Sequence, residues 1–416
     1  MRIAWTGEPG SADADGVPGI AHQLRSTLAR RGHTVDVFFP LVERAPPQPA
    51  GESVAGLQLH PIKTGWNWKR WYARTPSRVF LSVSAVRSVQ TFIVAKSVMR
   101  AHRRRPFDVI FQMSQIEHAF PRKGSRRPPL VLHPCTLARQ EAAWHWRERR
   151  LALSGESRLR FAVIQAVLTA RCWLQPRSAQ AADLIVGPSS RFGQLAAETL
   201  RLDPAEVRTL RHPVDIARFK PSSEMSRPQP YLLLFVGYVS ARKGIDLIVD
   251  LSHRLDDLAG EVLITVVGGP RSWSDYSHLL DQANPHLLQQ TGPKWPAEVL
   301  PIMQQADAVI VPSRFEPGSI VTGEALACGV PVIASDAVGP SEILDDTCGR
   351  VFADGDAASL EEATRDLLAT LAADRGAFRA AARARALEHL ATDTVVDQLE
   401  ALLAHAIEGQ ACRGRD

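Results

Sequence analysis

Two glutamates eight positions apart stand in the stretch Pro312-Ser-Arg-Phe-Glu316-Pro-Gly-Ser-Ile-Val-Thr-Gly-Glu324-Ala-Leu-Ala-Cys-Gly329-Val-Pro331-Val-Ile-Ala-Ser. Residues Asp307 to Pro312 read as a β-strand, and a loop containing Gly318 leads from it into a helix starting near Ser319. The first turn of a helix carries N–H groups without intrahelical acceptors and the positive end of the dipole. The backbone around Gly318, Ser319, Ile320 and Val321 is therefore suited to an anion. Glu316 in the loop and Glu324, about one and a half turns into the helix, bracket that place. One carboxylate can hold sugar hydroxyls and the other ribose hydroxyls. Taken blind, two such glutamates are more often a helix-dipole partner and a solvated helix residue, so the surrounding residues have to decide.

Upstream, Leu234-Phe-Val-Gly237-Tyr-Val-Ser-Ala-Arg242-Lys243-Gly244-Ile-Asp-Leu-Ile reads as a strand, a glycine turn and a helix start with two cations beside it. A lysine in a glycine-flanked turn is a suitable point charge for phosphates. In Leu130-Val-Leu-His133-Pro a histidine ends a buried strand, where open α/β sheets collect their ligands; a core or capping histidine is equally open. Gly16-Val-Pro-Gly19 opens a helix that ends at Arg31-Gly32-His33. Neither glycine cluster near the N-terminus has the GxGxxG spacing of a dinucleotide-binding turn, which disfavours an NAD-dependent oxidoreductase.

Short β-branched runs alternating with longer helical patterns must position these groups. That alternation predicts an α/β protein with two Rossmann-like, doubly wound domains. Strands are expected at Arg2 to Trp5, Val35 to Phe39, Asp108 to Phe111, Leu130 to His133 and Asp183 to Gly187. In the second half they are expected at Tyr231 to Gly237, Val262 to Gly268, Ala308 to Pro312, Pro331 to Ser335 and Arg350 to Phe352. The domains are expected at 1–213 and 214–396, with a C-terminal helix of about 397–416 packing back on the first. Lys220 to Pro230, with three prolines, is the expected linker. The helical pattern from about Leu360 to Ile407 is broken near Thr392.

The second half resembles family 4 of the retaining glycosyltransferases, whose fold is called GT-B. Glu316, Glu324 and Gly329-Val330-Pro331-Val332 match the family's two glutamates with seven residues between them, its small-residue helix and its Gly-x-Pro-Val turn. Leu234 to Ile248 matches its strand, glycine turn and Lys-Gly helix start, with Tyr238 where arginine is common. His212-Pro213 stands where Asn-Gly is more usual.

The resemblance implies two domains facing each other across a cleft and a nucleoside-diphosphate sugar as donor. It also implies transfer with retention to an acceptor saccharide, lipid-linked saccharide or small molecule. By it, Lys243 holds the diphosphate, with Arg242 replacing the missing arginine and Gly237, Gly318, Ser319, Ile320 and Val321 lining the donor site. Glu316 orients the sugar, Glu324 the ribose and His133 the sugar's outer face, while Gly16 and Gly19 line the cleft. No cofactor and no metal are expected, since no DxD-type motif stands at a comparable position. Two other readings are a catalytically inactive or partner-dependent sugar-nucleotide-binding protein, and another GT-B enzyme such as a nucleotide-sugar epimerase or phosphorylase.

The chain has 416 residues, 45% hydrophobic and 22% charged, which excludes wholesale disorder and a fibrous protein. Its charge is uneven: residues 1–213 hold 32 Lys+Arg against 15 Asp+Glu, and residues 214–416 hold 17 against 29. The basic half includes Arg103-Arg104-Arg105 and Arg122 to Arg127, without the recognition helix or stacking platform of a nucleic-acid binder. An anionic membrane surface is their expected partner, or simple solvation. Trp66, Trp68, Trp71, Trp144 and Trp146 lie beside arginines and fit sugar stacking, a lipid interface or core packing. Five scattered cysteines without metal spacing, and an N-terminus lacking an export pattern, predict a cytoplasmic protein, either soluble or peripheral on the inner face of the membrane.

Overall fold

The computed structural model describes residues 1–7, 16–40, 54–63, 91–114, 120–121, 127–155, 157–222, 230–270 and 275–413. Trp66, Trp68, Trp71 and Arg122 lie outside the described residues. The chain divides into two compact units, Met1–Leu210 with Val395–Asp416, and Arg211–Thr394.

The first unit runs β1 (Arg2–Thr6), α1 (Gly16–Arg30), β2 (Thr34–Pro40), β3 (Leu57–Ile62), α2 (91–104), β4 (Val109–Ser114), β5 (Leu130–Pro134), α3 (Ala138–Arg147), α4 (Arg149–Gly155), α5 (Arg158–Ala179), β6 (Leu184–Gly187), α6 (Ser190–Leu200) and β7 (Val207–Thr209). Its seven parallel strands lie in the order β3-β2-β1-β4-β5-β6-β7. The central strands are apolar runs because helices cover both faces of such a sheet. Ile3, Val109, Phe111 and Leu132 are all fully buried. Trp5 packs on Phe111 at 4.4 Å between ring centroids.

The second unit runs β8 (Tyr231–Val236), α7 (Ile245–Arg254), β9 (Val262–Val267), α8 (Ser277–Leu280), β10 (Leu288–Gly292), α9 (Pro296–Gln305), β11 (Ala308–Val311), α10 (Ile320–Ala327), β12 (Val332–Ser335), β13 (Gly349–Phe352), α11 (Ala357–Leu390) and the start of α12 (Thr392–Arg413). Six parallel strands take the order β10-β9-β8-β11-β12-β13. Two apolar clusters sandwich this sheet, one built on Leu233, Ile248 and Ile264 and the other on Val309, Leu326 and Val332. Most of α12 belongs to the first unit. There Arg31 pairs with Asp397 at 2.5 Å and Glu400 at 2.9 Å, and His33 Nε2 lies 2.6 Å from Glu400.

Two readings of the sequence need correction. The passage between units falls at Leu210 to Arg211, so Lys220 to Pro230 is not the linker; residues 223–229 lie outside the described residues. The segment before it is tied down inside the second unit, where Arg383 donates to the carbonyls of Ile216 at 2.9 Å and Phe219 at 2.7 Å. Arg127, grouped above with membrane-facing arginines, is 3% exposed. It donates to Asp183 and the Pro128 carbonyl at 2.7 Å and also to the Ala181 carbonyl, which makes it a structural cation under β5 and β6.

Candidate functional site

The turn after β8 and the loop after β11 are pressed together. Gly244, just before α7, has φ +75°, and a Cβ built there would lie 2.0 Å from the Pro312 carbonyl oxygen, so only glycine permits this approach. Gly244→Ala is expected to lower stability by about 2 kcal/mol or more through backbone strain and that clash, measurable as a lower midpoint in urea unfolding. Arg314, on the loop, fastens the two segments. Its N–H donates to the Arg242 carbonyl at 2.9 Å. Its guanidinium donates to the Ala241 carbonyl and, bidentate, to the Asp246 carboxylate, each bond 2.7 Å. That fork geometry suits arginine and not lysine.

Glu316 sits on this clamped loop. Its backbone N–H donates to the Ala337 carbonyl at 3.4 Å, and its own carbonyl accepts from Gly339 N–H at 2.8 Å, so the chain beyond β12 holds it. The carboxylate, 15% exposed, takes Lys243 Nζ on Oε2, with Arg242 Nη1 3.3 Å from the same oxygen. Arg242 donates further to the Phe315 carbonyl at 2.7 Å. Burial pushes the Glu316 carboxyl up, but the Lys243 and Arg242 charges outweigh it and hold the group below the usual carboxylate range. At neutral pH the group is an anion between two cations.

Four residues on, α10 begins. The Ser319 hydroxyl caps it by accepting from Thr322 N–H at 3.3 Å. The Ile320 and Val321 N–H groups precede the first intrahelical bond. The Gly318 carbonyl accepts from His212 Nδ1 at 3.1 Å, which fixes the approach to the helix. Glu324 lies half-buried on α10. Gly237 follows β8, its N–H donating to the Val267 carbonyl at 3.0 Å, and Tyr238 beside it is 44% exposed. Arg242, Lys243 and Glu316 are thus brought into contact a few residues from the start of α10. An excess of cations and unsatisfied N–H groups makes the place receptive to a multiply charged anion.

The other expected residues belong to the first unit. Gly16 and Gly19 open α1 and His133 lies near the end of β5, all at the C-terminal edge of that parallel sheet. His133 is fully buried and its Nδ1 donates to the Val186 carbonyl at 2.5 Å. Burial lowers its pKa to about 4, against which the carbonyl contact raises it, so the ring is neutral at pH 7.

Sequence reasoning missed Arg314, Asp246, the backbone pin from Ala337 and Gly339, and the His212 contact. Each partner lies far away in the chain, and no local spacing announces such pairs.

Residues 218–385 match the model of the family described as Glycosyl transferases group 1. This interval lies wholly inside the second unit. α-Maltose-1-phosphate synthase of Mycolicibacterium smegmatis is 28% identical over 195 residues, covering 42% of this chain and 49% of that protein. The chain therefore spans about half the length of that relative. D-inositol 3-phosphate glycosyltransferase of Actinosynnema mirum is 25% identical over 370 residues, 83% of this chain and 82% of that one. Among solved structures, sucrose-phosphate synthase from Thermosynechococcus elongatus superposes with a TM-score of 0.70 at 19% identity, covering 98% of this chain and all of that one. The fold is GT-B, an α/β architecture of two parallel-sheet units.

Proposed function

We propose that this chain is a retaining glycosyltransferase that moves a hexose from a nucleoside-diphosphate sugar to an acceptor hydroxyl in saccharide or glycoconjugate biosynthesis. The observation that carries this reading is the contact of Lys243 and Arg242 with Glu316 just before the N-terminus of α10. The match of the surrounding residues to the group 1 family supports it.

In this reading the two cations and the first N–H groups of α10 take the diphosphate and stabilise it as the glycosidic bond to the sugar breaks. Such pre-aimed donors are typically worth about 2.7–4 kcal/mol each in the transition state. Glu316 then exchanges its cations for sugar hydroxyls, and Glu324 holds the ribose. The acceptor is a saccharide, a lipid-linked saccharide or a small molecule. The charge needed on the leaving group comes from side chains and backbone, so no metal is required.

The test is incubation with uridine, adenosine and guanosine diphosphate hexoses and acceptors of those three kinds, in the presence of EDTA, with products read by NMR. Transfer with the donor's anomeric configuration kept is expected. Inverted product, or transfer that chelator abolishes and manganese restores, would contradict the mechanism. Epimer or hydrolysed donor formed equally well without acceptor would replace it with the epimerase reading.

A further inference from the structure

Helix α5 is apolar on both sides. Its buried side holds Phe161, Ile164 and Leu168. Its opposite side carries Leu159, Val163, Ala166, Ala170, Trp173 and Leu174, spaced at three, four and seven residues and therefore forming one stripe along the helix. All six are exposed, Leu159 to 74% and Trp173 to 62%. Of the eleven large apolar side chains exposed among the described residues, six fall between Trp146 and Leu174, so the exposure is concentrated here. Trp146, exposed on α3, packs against Phe161 on the buried side of α5, at 6.1 Å between centroids.

The charges carried by α5 itself are of one sign, although Arg171 pairs with Glu141 of α3 at 2.7 Å. Helix α5 contains Arg158, Arg160, Arg171 and Arg177 and no acidic residue, and α4 adds Arg149 and Arg150, again without an acid. Two of these guanidinium groups lie over exposed indoles, Arg177 at 3.6 Å from the Trp173 centroid and Arg149 at 5.2 Å from that of Trp146. Beside Trp173 opens a cleft of about 270 Å³ whose lining includes Arg139, Arg177 and Arg201, with Glu198 as its acidic member.

We propose that this face of the first unit rests on an anionic lipid surface, with the stripe entering the headgroup and acyl boundary and the cleft taking a headgroup phosphate. The charge complementarity decides the occupant. An acid-free apolar helix ringed by arginine and tryptophan suits a negatively charged interface, whereas a second copy would place these arginines against their own kind. The surface differs from the one anticipated around Arg103 to Arg105 and Arg122 to Arg127. Since the claim concerns only the first unit, it stands or falls separately from glycosyl transfer.

The experiment is co-sedimentation of the full chain with phosphatidylcholine vesicles and with vesicles containing phosphatidylglycerol, without donor or acceptor, at low and high salt. Binding to the anionic vesicles only, weakened by salt, is expected. Leu159→Ser with Trp173→Ser should weaken it roughly tenfold or more, and Arg139→Gln with Arg177→Gln about fivefold per charge. Replacement of Arg103, Arg104 and Arg105 by glutamine should change it less. Because these side chains are exposed, a circular dichroism melt matching wild type will confirm that each variant is folded. No preference for anionic vesicles overturns the proposal, as does unchanged binding of the folded stripe variant. A dimer that the stripe variant dissociates, with no vesicle binding by the wild type, also overturns it and assigns the face to self-association.

Discussion

Turnover of a nucleoside-diphosphate sugar by the Lys243→Ala variant is expected to fall roughly 10²–10³-fold, most of it in kcat, because the lost charge acts chiefly on the departing diphosphate. Glu316→Gln should behave differently. The Glu316 carboxylate holds Lys243 and Arg242, so the amide releases both cations and removes an anion from beside the phosphates. Diphosphate binding should be at least as tight as in wild type while turnover collapses. Steady-state kinetics and calorimetric titration of the two variants check this split. Equal loss of binding in both would mean that the carboxylate helps to build the phosphate site and does not merely occupy its cations.

Acid should weaken the fold through His133. Its pKa falls from 6.5 to about 4 on burial, so the native ring stays neutral while the unfolded chain takes up a proton as pH drops below 6.5. The stability this represents is fully present above pH 6.5 and is lost progressively down to about pH 4. The shift corresponds to about 3 kcal/mol. In urea unfolding between pH 7 and pH 4, wild type should lose about that much more than His133→Gln, which has no proton to gain. Parallel losses in the two proteins would mean that His133 titrates normally in the fold.

The interior of both sheets was legible in the sequence, and of the four edge strands among the described residues only β13 (Gly349–Phe352) was. Strands such as Val109–Ser114, Leu130–Pro134 and Val262–Val267 are buried on both faces and therefore read as apolar runs. The three strands that were missed, β3 (Leu57–Ile62), β7 (Val207–Thr209) and β10 (Leu288–Gly292), are all edge strands. An edge strand pairs on one side only and stays partly solvated, so Leu-Gln-Gln-Thr-Gly carries no apolar signature.

The same division holds at the candidate site. The glycine turn, the Arg242-Lys243 pair and the capped start of α10 are local features with local signals, so their types and spacing pointed to an anion. What fastens them together is long-range. Arg314 reaches Asp246 across 68 positions, and Glu316 meets Lys243 across 73. The exposed stripe on α5 was hidden for a different reason. Phe161 to Leu174 is an apolar run interrupted only by polar Gln165, Thr169 and Arg171, and only the packing of one side reveals that the other is left to solvent.

The most direct test of the central claim is thermal unfolding of the full chain, wild type and Lys243→Ala, against a panel of nucleoside diphosphates. A ligand present at 100 times its dissociation constant adds about 2.7 kcal/mol of stability. The account predicts that one diphosphate raises the wild-type midpoint and that the variant loses the effect. No stabilisation by any of them, or equal stabilisation of the variant, would contradict a diphosphate site at Lys243.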